Sequence, residues 1–263
     1  MTAAYEDLKD HGKVHIWRGR APDELDPADV ALLSEEELEV VSRGSRKAAV
    51  RYTASHAALR RVLAEYLGVA PTAIGLGRRP CPRCEHPRHG RPRVDWPVTD
   101  LDFNFSRSGP HWLLAVGASG QLGVDVEDGR NLDVEGASAL VMSDAELAYA
   151  RSSSDTADRQ STFFRCWTRK EAVVKAIGVG IIADLKAIDI QPARSGPVLV
   201  RHTEPTGPDS WLVMDLPTVD GAFAALARES GSTGPVELRH YDELALATAS
   251  GSRIEQARGA LVA

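Results

Sequence analysis

Two stretches of about twenty residues, each closed by glycine, constrain this chain most, because both carry helical periodicity while the sequence around them breaks into short strand-like runs. From near Ser45 to Leu67, the residues Leu59, Val62, Leu63, Tyr66 and Leu67 fall on one 3.6-residue face, with Gly68 at the C′ position and Pro71 beyond. The second stretch runs from about Arg159 to Ile177 and is closed by Gly178 and Gly180. Two shorter helices are announced by the capping boxes Ser34-Glu-Glu-Glu37 and Ser143-Asp-Ala-Glu146. Leu33 and Leu38 take the staple positions of the first, Gly44 stops it, and 152–158 reads as a surface loop. Strands are expected at 13–17, 101–105, 112–116, 122–127, 187–191, 198–202, 211–216, 222–227 and 236–241, and the last dozen residues read as a loose tail. The segments LLAVGASGQLGVDVE and AFAALARESGSTGPVELR echo each other as strand, Gly/Ser turn, strand. That fits either two similar α+β halves or two hairpins alike by chance.

Composition narrows the function classes. The chain of 263 residues carries 31 Lys+Arg against 37 Asp+Glu, a net charge of −6, the wrong sign for coating nucleic acid or an anionic membrane. An anionic ligand then needs a local basic cluster, and 78–93 (RRPCPRCEHPRHGRPR) supplies six arginines and two histidines. Arg46, Lys47, Arg51 and His56 add to it from the first long helix. Three cysteines are too few and odd in number for a disulfide framework, no run approaches a membrane span, and the first twenty residues lack an apolar signal region. A reducing cytoplasm is the expected compartment.

The chemistry gathers in two segments. In Gly123-Val-Asp125-Val-Glu127, the period of a strand puts both carboxylates on one face, able to converge on a hard cation; a solvated acidic edge strand is the alternative. In the second long helix, Trp167, Glu171 and Lys175 are spaced i, i+4, i+8 and form one stripe, while Phe163, Val174 and Ile177 can face the core. A plain solvated ion pair is the alternative for Glu171 and Lys175.

Together these segments resemble the signatures of the 4′-phosphopantetheinyl transferases, particularly the long, pseudo-dimeric Sfp-type members that activate carrier proteins of peptide and polyketide synthases. G-V-D-V-E is followed some forty residues later by Trp167-Thr-Arg-Lys-Glu-Ala-Val-Val-Lys-Ala-Ile-Gly-Val-Gly180. Upstream, Gly90-Arg91-Pro92 resembles G-(K/R)-P, and Phe103-Asn-Phe-Ser-Arg-Ser-Gly109 resembles F-N-x-S-H-S-G, so the likeness runs from about Ser34 to Tyr241. The resemblance implies transfer of the phosphopantetheine arm of coenzyme A to a carrier-protein serine, with release of adenosine 3′,5′-bisphosphate. It implies Mg²⁺, or Mn²⁺, on Asp125, Glu127 and Glu171, with Glu171 as base, directly or through water, and Lys175 at the phosphates. For coenzyme A it implies Arg51, His56, Arg91, Ser106 and Arg107, besides Lys175. Expected partners are acyl or peptidyl carrier domains of polyketide, nonribosomal peptide or fatty acid synthases, with no nucleic acid and no membrane. A monomer is expected, since a duplicated chain can supply both halves of a site.

Two departures stand out. Arg107 replaces the family histidine, which keeps a cation and removes a titratable group. Cys81 and Cys84, with His86 and His89 close by, resemble half a zinc site inserted before G-R-P; a reduced, metal-free loop is the alternative. The competing functions are a zinc-dependent binding module built on that loop and a relative that binds coenzyme A without transferring. The expected fold is α+β: two similar pseudo-twofold halves, each a small antiparallel sheet with a long helix, and the site in the cleft between them. The halves span 1–119 and 120–249, with a flexible tail at 250–263.

Overall fold

A computed structural model describes residues 2–242 except 85, 87, 88, 119, 130–132, 181–182 and 203–206, so the expected tail lies outside the described residues. The elements follow in the order α1 (Ala3–His11), β1 (Val14–Arg20), α2 (Pro27–Val30), α3 (Glu35–Arg43), α4 (Arg46–Leu67), β2 (Gly75–Arg78), β3 (Pro92–Trp96), β4 (Asp102–Ser108), β5 (His111–Gly117) and β6 (Leu122–Glu127). Then come α5 (Val134–Val141), α6 (Asp144–Arg151), α7 (Thr156–Ile177), β7 (Val198–Arg201), β8 (Ser210–Asp215), β9 (Phe223–Glu229) and β10 (Val236–His240). Both long helices end where expected, on Gly68 and Gly178 in left-handed geometry, a region that costs a residue with a Cβ. α7 starts earlier than its apolar pattern suggests, because the Asp155 side chain accepts the Ala157 amide and caps it.

Among the described residues the strands form two four-stranded sheets, in the orders β10-β1-β5-β4 and β6-β9-β8-β7, and a β2-β3 hairpin. The first sheet is not wholly antiparallel, since β10 runs parallel to β1. Each sheet contains the same three-stranded unit: a first strand, then helices, then two strands that pair antiparallel, the later one beside the first strand. The echoed strand-turn-strand segments are not hairpins. β5 and β6 lie in different sheets, as do β9 and β10, so each segment carries the chain from one sheet to the other.

Apolar alternation builds the layers. Val14, Ile16, Leu113 and Ala115 of the first sheet pack with Leu122, Val124, Val126 and Leu226 of the second, joining the sheets through one core. The outer face of each sheet is covered by its long helix: Leu59, Val62, Leu63 and Tyr66 of α4 lie with Phe103 and Leu114, and Phe163, Val173, Val174 and Ile177 of α7 lie with Val200, Val213 and Ala225. No helix among the described residues is long and apolar enough to cross a membrane.

Two sequence expectations need correction. The stretch 187–191 is not a strand: a 3₁₀ turn covers Leu185–Ala187, and the Ile190 backbone N–H and C=O are taken by Glu146 and Arg169 instead of a neighbouring strand. In the first capping box, Leu38 is exposed, and the position α3 buries is Glu37.

Candidate active site

The acidic strand β6 is an edge of the second sheet, and β4 is an edge of the first. They meet through side chains. Asn104, Ser106 and Ser108, at period 2 along β4, accept the backbone N–H groups of Val124, Val126 and Asp128 at 3.1, 3.3 and 3.1 Å. Short polar side chains thus close an edge that would otherwise leave buried donors unpaired. This ladder is the physical content of the F-N-x-S-x-S pattern.

On β6 the pleat turns Leu122, Val124 and Val126 into the core between the sheets and turns Asp125 and Glu127 toward α7. Gly123 lets the helix come this close, because a Cβ there would lie 2.1 Å from the Ala172 carbonyl oxygen and 2.4 Å from the Ala176 nitrogen. On α7 most of the last three turns is buried, and Trp167, Glu171 and Lys175 form the partly accessible stripe. The helix is pinned by buried charges. Arg169 makes a fork to Asp215 at 2.7 and 2.9 Å, and Lys170 donates to Glu146 and to the carbonyls of Val141 and Leu185.

These elements bring together five residues predicted from sequence. Lys175 Nζ donates to Asp125 Oδ1 (2.5 Å) and Ser106 Oγ (2.7 Å), and Ser106 donates to the same carboxylate oxygen (2.9 Å). Ser108 and the Trp167 indole donate to the two oxygens of Glu127, at 2.6 and 3.0 Å. Glu171 receives no hydrogen bond among the described residues. All three acids are held above the usual carboxylate range, first by burial and then by mutual repulsion in the case of Glu127 and Glu171; Lys175 opposes the shift. Three carboxylates against one ammonium leave two negative charges. Asp125 Oδ2 is buried without a hydrogen-bond partner among the described residues. An orphaned buried oxygen inside an acidic cluster of that net charge fits a hard divalent cation. The trio is not among the groups whose ligand atoms already lie within 4.8 Å of one another, and Lys175 occupies Asp125 Oδ1.

The residues expected to hold coenzyme A divide. Arg107 is exposed, with its guanidinium 4.7 Å over the ring of Tyr52, and Tyr52 stacks on His56 at 3.9 Å between centroids. His56 Nδ1 lies 2.9 Å from Glu37 Oε1 and, since an ionised carboxylate only accepts, carries the proton. Burial lowers the His56 pKa, opposed by the Glu37 hydrogen bond. Glu37 itself is drawn down to about 2: burial pushes it up and is outweighed by hydrogen bonds from His56, the Ser34 amide and Arg60. Arg51 is not brought to this cluster. It lines a separate hollow with Arg46, Lys47 and Asp23, because five residues along a helix turn the side chain to another face. Arg91 is paired with the buried Asp102, and its backbone nitrogen lies against Gly178 at the end of α7.

Sequence reasoning missed Tyr52, Glu37, Asn104 and Ser108. The capping box and the period-2 polar run were visible signals, but their long-range partners were not.

Comparison with known proteins places these features. A family model described as the 4′-phosphopantetheinyl transferase superfamily matches residues 121–227, which carry the acidic strand and the α7 stripe. The 4′-phosphopantetheinyl transferase HetI of Nostoc sp. is 31% identical over 225 residues, covering 82% of this chain and 87% of the relative. The 4′-phosphopantetheinyl transferase gsp of Aneurinibacillus migulanus is 26% identical over 187 residues, 70% and 74% of the two chains. The corresponding enzyme psf-1 of Bacillus pumilus is 27% identical over 153 residues, 57% and 62% of the two. With the motifs, the site they build and a likeness of this extent, the chain belongs to the 4′-phosphopantetheinyl transferase superfamily.

Proposed function

We propose that this protein moves the 4′-phosphopantetheine arm of coenzyme A to a serine of an apo carrier protein. The observation that carries the reading is the convergence of Asp125, Glu127 and Glu171, from a strand and a helix, around Lys175. The serine oxygen bonds to the phosphorus bearing pantetheine. The P–O bond to the adenosine 5′-phosphate breaks, and adenosine 3′,5′-bisphosphate leaves.

Asp125, Glu127 and Glu171 would hold Mg²⁺, or Mn²⁺ in its place; bound there, the cation offsets charge on the pyrophosphate and on the leaving oxygen. Glu171 accepts the serine proton, directly or through a water. Ser108 and Trp167 fix Glu127, so its carboxylate needs little reorganisation. Lys175 exchanges its contact with Asp125 for the phosphates as charge builds there. Arg107, Arg91 and Ser106 meet the anionic parts of coenzyme A, whereas Arg51 would meet them from the separate hollow it lines with Arg46 and Lys47. His56, kept neutral by burial, suits a hydroxyl or amino donor of the nucleoside better than a phosphate.

The fold is read as two pseudo-twofold halves, 1–119 and 120–249. Three likenesses support this: the repeated three-stranded unit, the two sheet-crossing segments, and the capping-box glutamates Glu37 and Glu146, each bound to a cation eight residues before a helix-ending glycine. Carrier domains of polyketide, nonribosomal peptide or fatty acid synthases are the proposed partners, met by a monomer in the cytoplasm. A zinc-dependent nucleic-acid module is not favoured, given the net charge of −6 and the family match over the acidic residues. A non-catalytic relative is not favoured because all three acids and the lysine are in place. Intact-mass measurement of apo carrier domains incubated with coenzyme A and Mg²⁺ tests the reading. A gain of one phosphopantetheine group is expected, and no gain across carriers from all three synthase classes would overturn it.

A further inference from the structure

Among the described residues, two groups of side chains outside the acidic cluster bring possible metal ligands within 4.8 Å of one another: Asp7, His15 and Glu237, and Cys81, Cys84 and His89. The first is already neutralised, since Lys13 reaches Asp7 and Glu237 at 2.8 and 2.9 Å and Arg239 lies 3.1 Å from Glu237. The second offers donors of a different kind. We propose that the β2–β3 loop is a zinc site, with Cys81 and Cys84 binding through Sγ and His89 through Nδ1.

The donor set selects the metal. Two thiolates and an imidazole are soft to intermediate ligands that suit Zn²⁺ and not the hard cation of the carboxylate cluster. The spacing is right for one ion. Zn–S bonds of about 2.3 Å and Zn–N bonds of about 2.0 Å place neighbouring ligands about 3.5–3.8 Å apart in a tetrahedron. Cys84 Sγ and His89 Nδ1 lie 3.2 Å apart with Cys81 inside the same 4.8 Å group, so a small outward shift admits the ion. His86, whose ring centroid is 4.5 Å from that of His89, or a water completes the shell. Two thiolates and a neutral imidazole around Zn²⁺ make a neutral centre, which adds no charge to a loop holding Arg78, Arg79, Arg83, Arg91 and Arg93. Binding releases the two thiol protons to solvent. Cys166 stands apart from this chemistry: it is fully buried, and burial pushes its thiol up to about 12.

The loop is closed at its base by the β2–β3 pairing and by the Arg79 amide donating to the Arg91 carbonyl at 2.8 Å. A metal joining Cys81, Cys84 and His89 cross-links the loop just above that closure. It restricts the loop as a covalent link would, and so fixes the approach of Arg79 and Arg91 to Asp102.

The test is metal analysis of the full chain, purified under reducing conditions without a metal-affinity step. About one zinc per chain is expected, lost in Cys84→Ser and His89→Ala and kept in Arg83→Ala, an exposed non-ligand in the same loop. Co²⁺ replacing the zinc should show the absorption bands of a tetrahedral thiolate site. Reduced protein without zinc that also fails to take up Co²⁺, a Cys81–Cys84 disulfide in its place, or retention of zinc by a Cys84→Ser chain that still melts cooperatively would each overturn the proposal. A few-fold rise in KM for coenzyme A on zinc removal, with kcat kept, is the expected kinetic companion. That readout rests on the transferase reading, whereas the metal content does not.

Discussion

The two sheets, each with a long helix packed on it, bury different chemistry between strand and helix. In the first, His15 and Trp17 on β1 point at α4, and both meet the buried hydroxyl of Tyr66, at 2.8 and 2.7 Å. In the second, Asp125 and Glu127 on β6 point at α7 and meet Lys175 and Trp167. The supporting parts match. Glu37 closes a capping box and takes Arg60 of α4, while Glu146 closes another and takes Lys170 of α7. The next residue along each helix marks the difference: Arg61 is bound to Asp29, whereas Glu171 has no hydrogen-bond donor among the described residues. One half is sealed by an aromatic and its polar partners; the other keeps repelling acids and an orphaned Asp125 oxygen. In both, a strand faces a long helix, and what differs is the side chains at that contact: polar partners of Tyr66 in one, the acids and Lys175 in the other.

Removing the proposed base should have the largest effect. Glu171→Gln should lower transfer about 10²–10⁴-fold in single-turnover mass measurements, as expected for a general base that also binds metal. Without a divalent cation the same variant should melt no lower than the parent, because a partly buried charge repelled by two others has been removed and no hydrogen bond broken. A marked loss of stability would mean that Glu171 serves the fold as Arg61 does.

The matched supports come next. Glu37→Gln and Glu146→Gln each strand a buried cation, at about 3–5 kcal/mol in denaturant unfolding. Comparable losses are expected. A neutral result for either would break the equivalence of the two frames.

The sealed half should also carry an acid sensitivity of its own. Burial is the main cause that lowers the His15 pKa, to about 4 against an ordinary value of 6.5. A histidine depressed in this way stays neutral in the fold and takes up a proton in the unfolded chain, so its share of stability is lost as pH falls from about 6.5 to about 4. That share is on the order of 3 kcal/mol, and His15→Asn should flatten the stability profile over this window. An unchanged profile would assign the sensitivity elsewhere. The smallest effect is expected at the seam between the sheets. Asn104→Ala leaves the buried Val124 amide without its acceptor, at about 1–3 kcal/mol by the same unfolding measurement.

Sequence alone located the capped helices and the acidic strand, because each carries a strictly local signal. The capping boxes, the helix-ending glycines, and the period-2 acids of β6 all depend on residues within a turn or two of one another. Assembly is less legible. The strand expected at 187–191 satisfies its backbone with Glu146 and Arg169, contacts no local pattern could reveal. The crossing of β5–β6 and β9–β10 between sheets resembles two hairpins in sequence for the same reason. Arg51 groups with His56 by proximity along the chain, yet helical geometry gives that place to Tyr52. In sequence the cysteine loop offers spacing alone, and only the fold brings Cys81, Cys84 and His89 together.

The central claim is that Asp125, Glu127 and Glu171 hold a divalent cation through which this half engages coenzyme A. Calorimetric titration of coenzyme A, with Mg²⁺ and again with a chelator in its place, tests it on the parent chain and on Glu171→Gln. The account predicts that Mg²⁺ tightens binding at least tenfold in the parent and by much less in the variant. Equal tightening in both, or none in the parent, would contradict it.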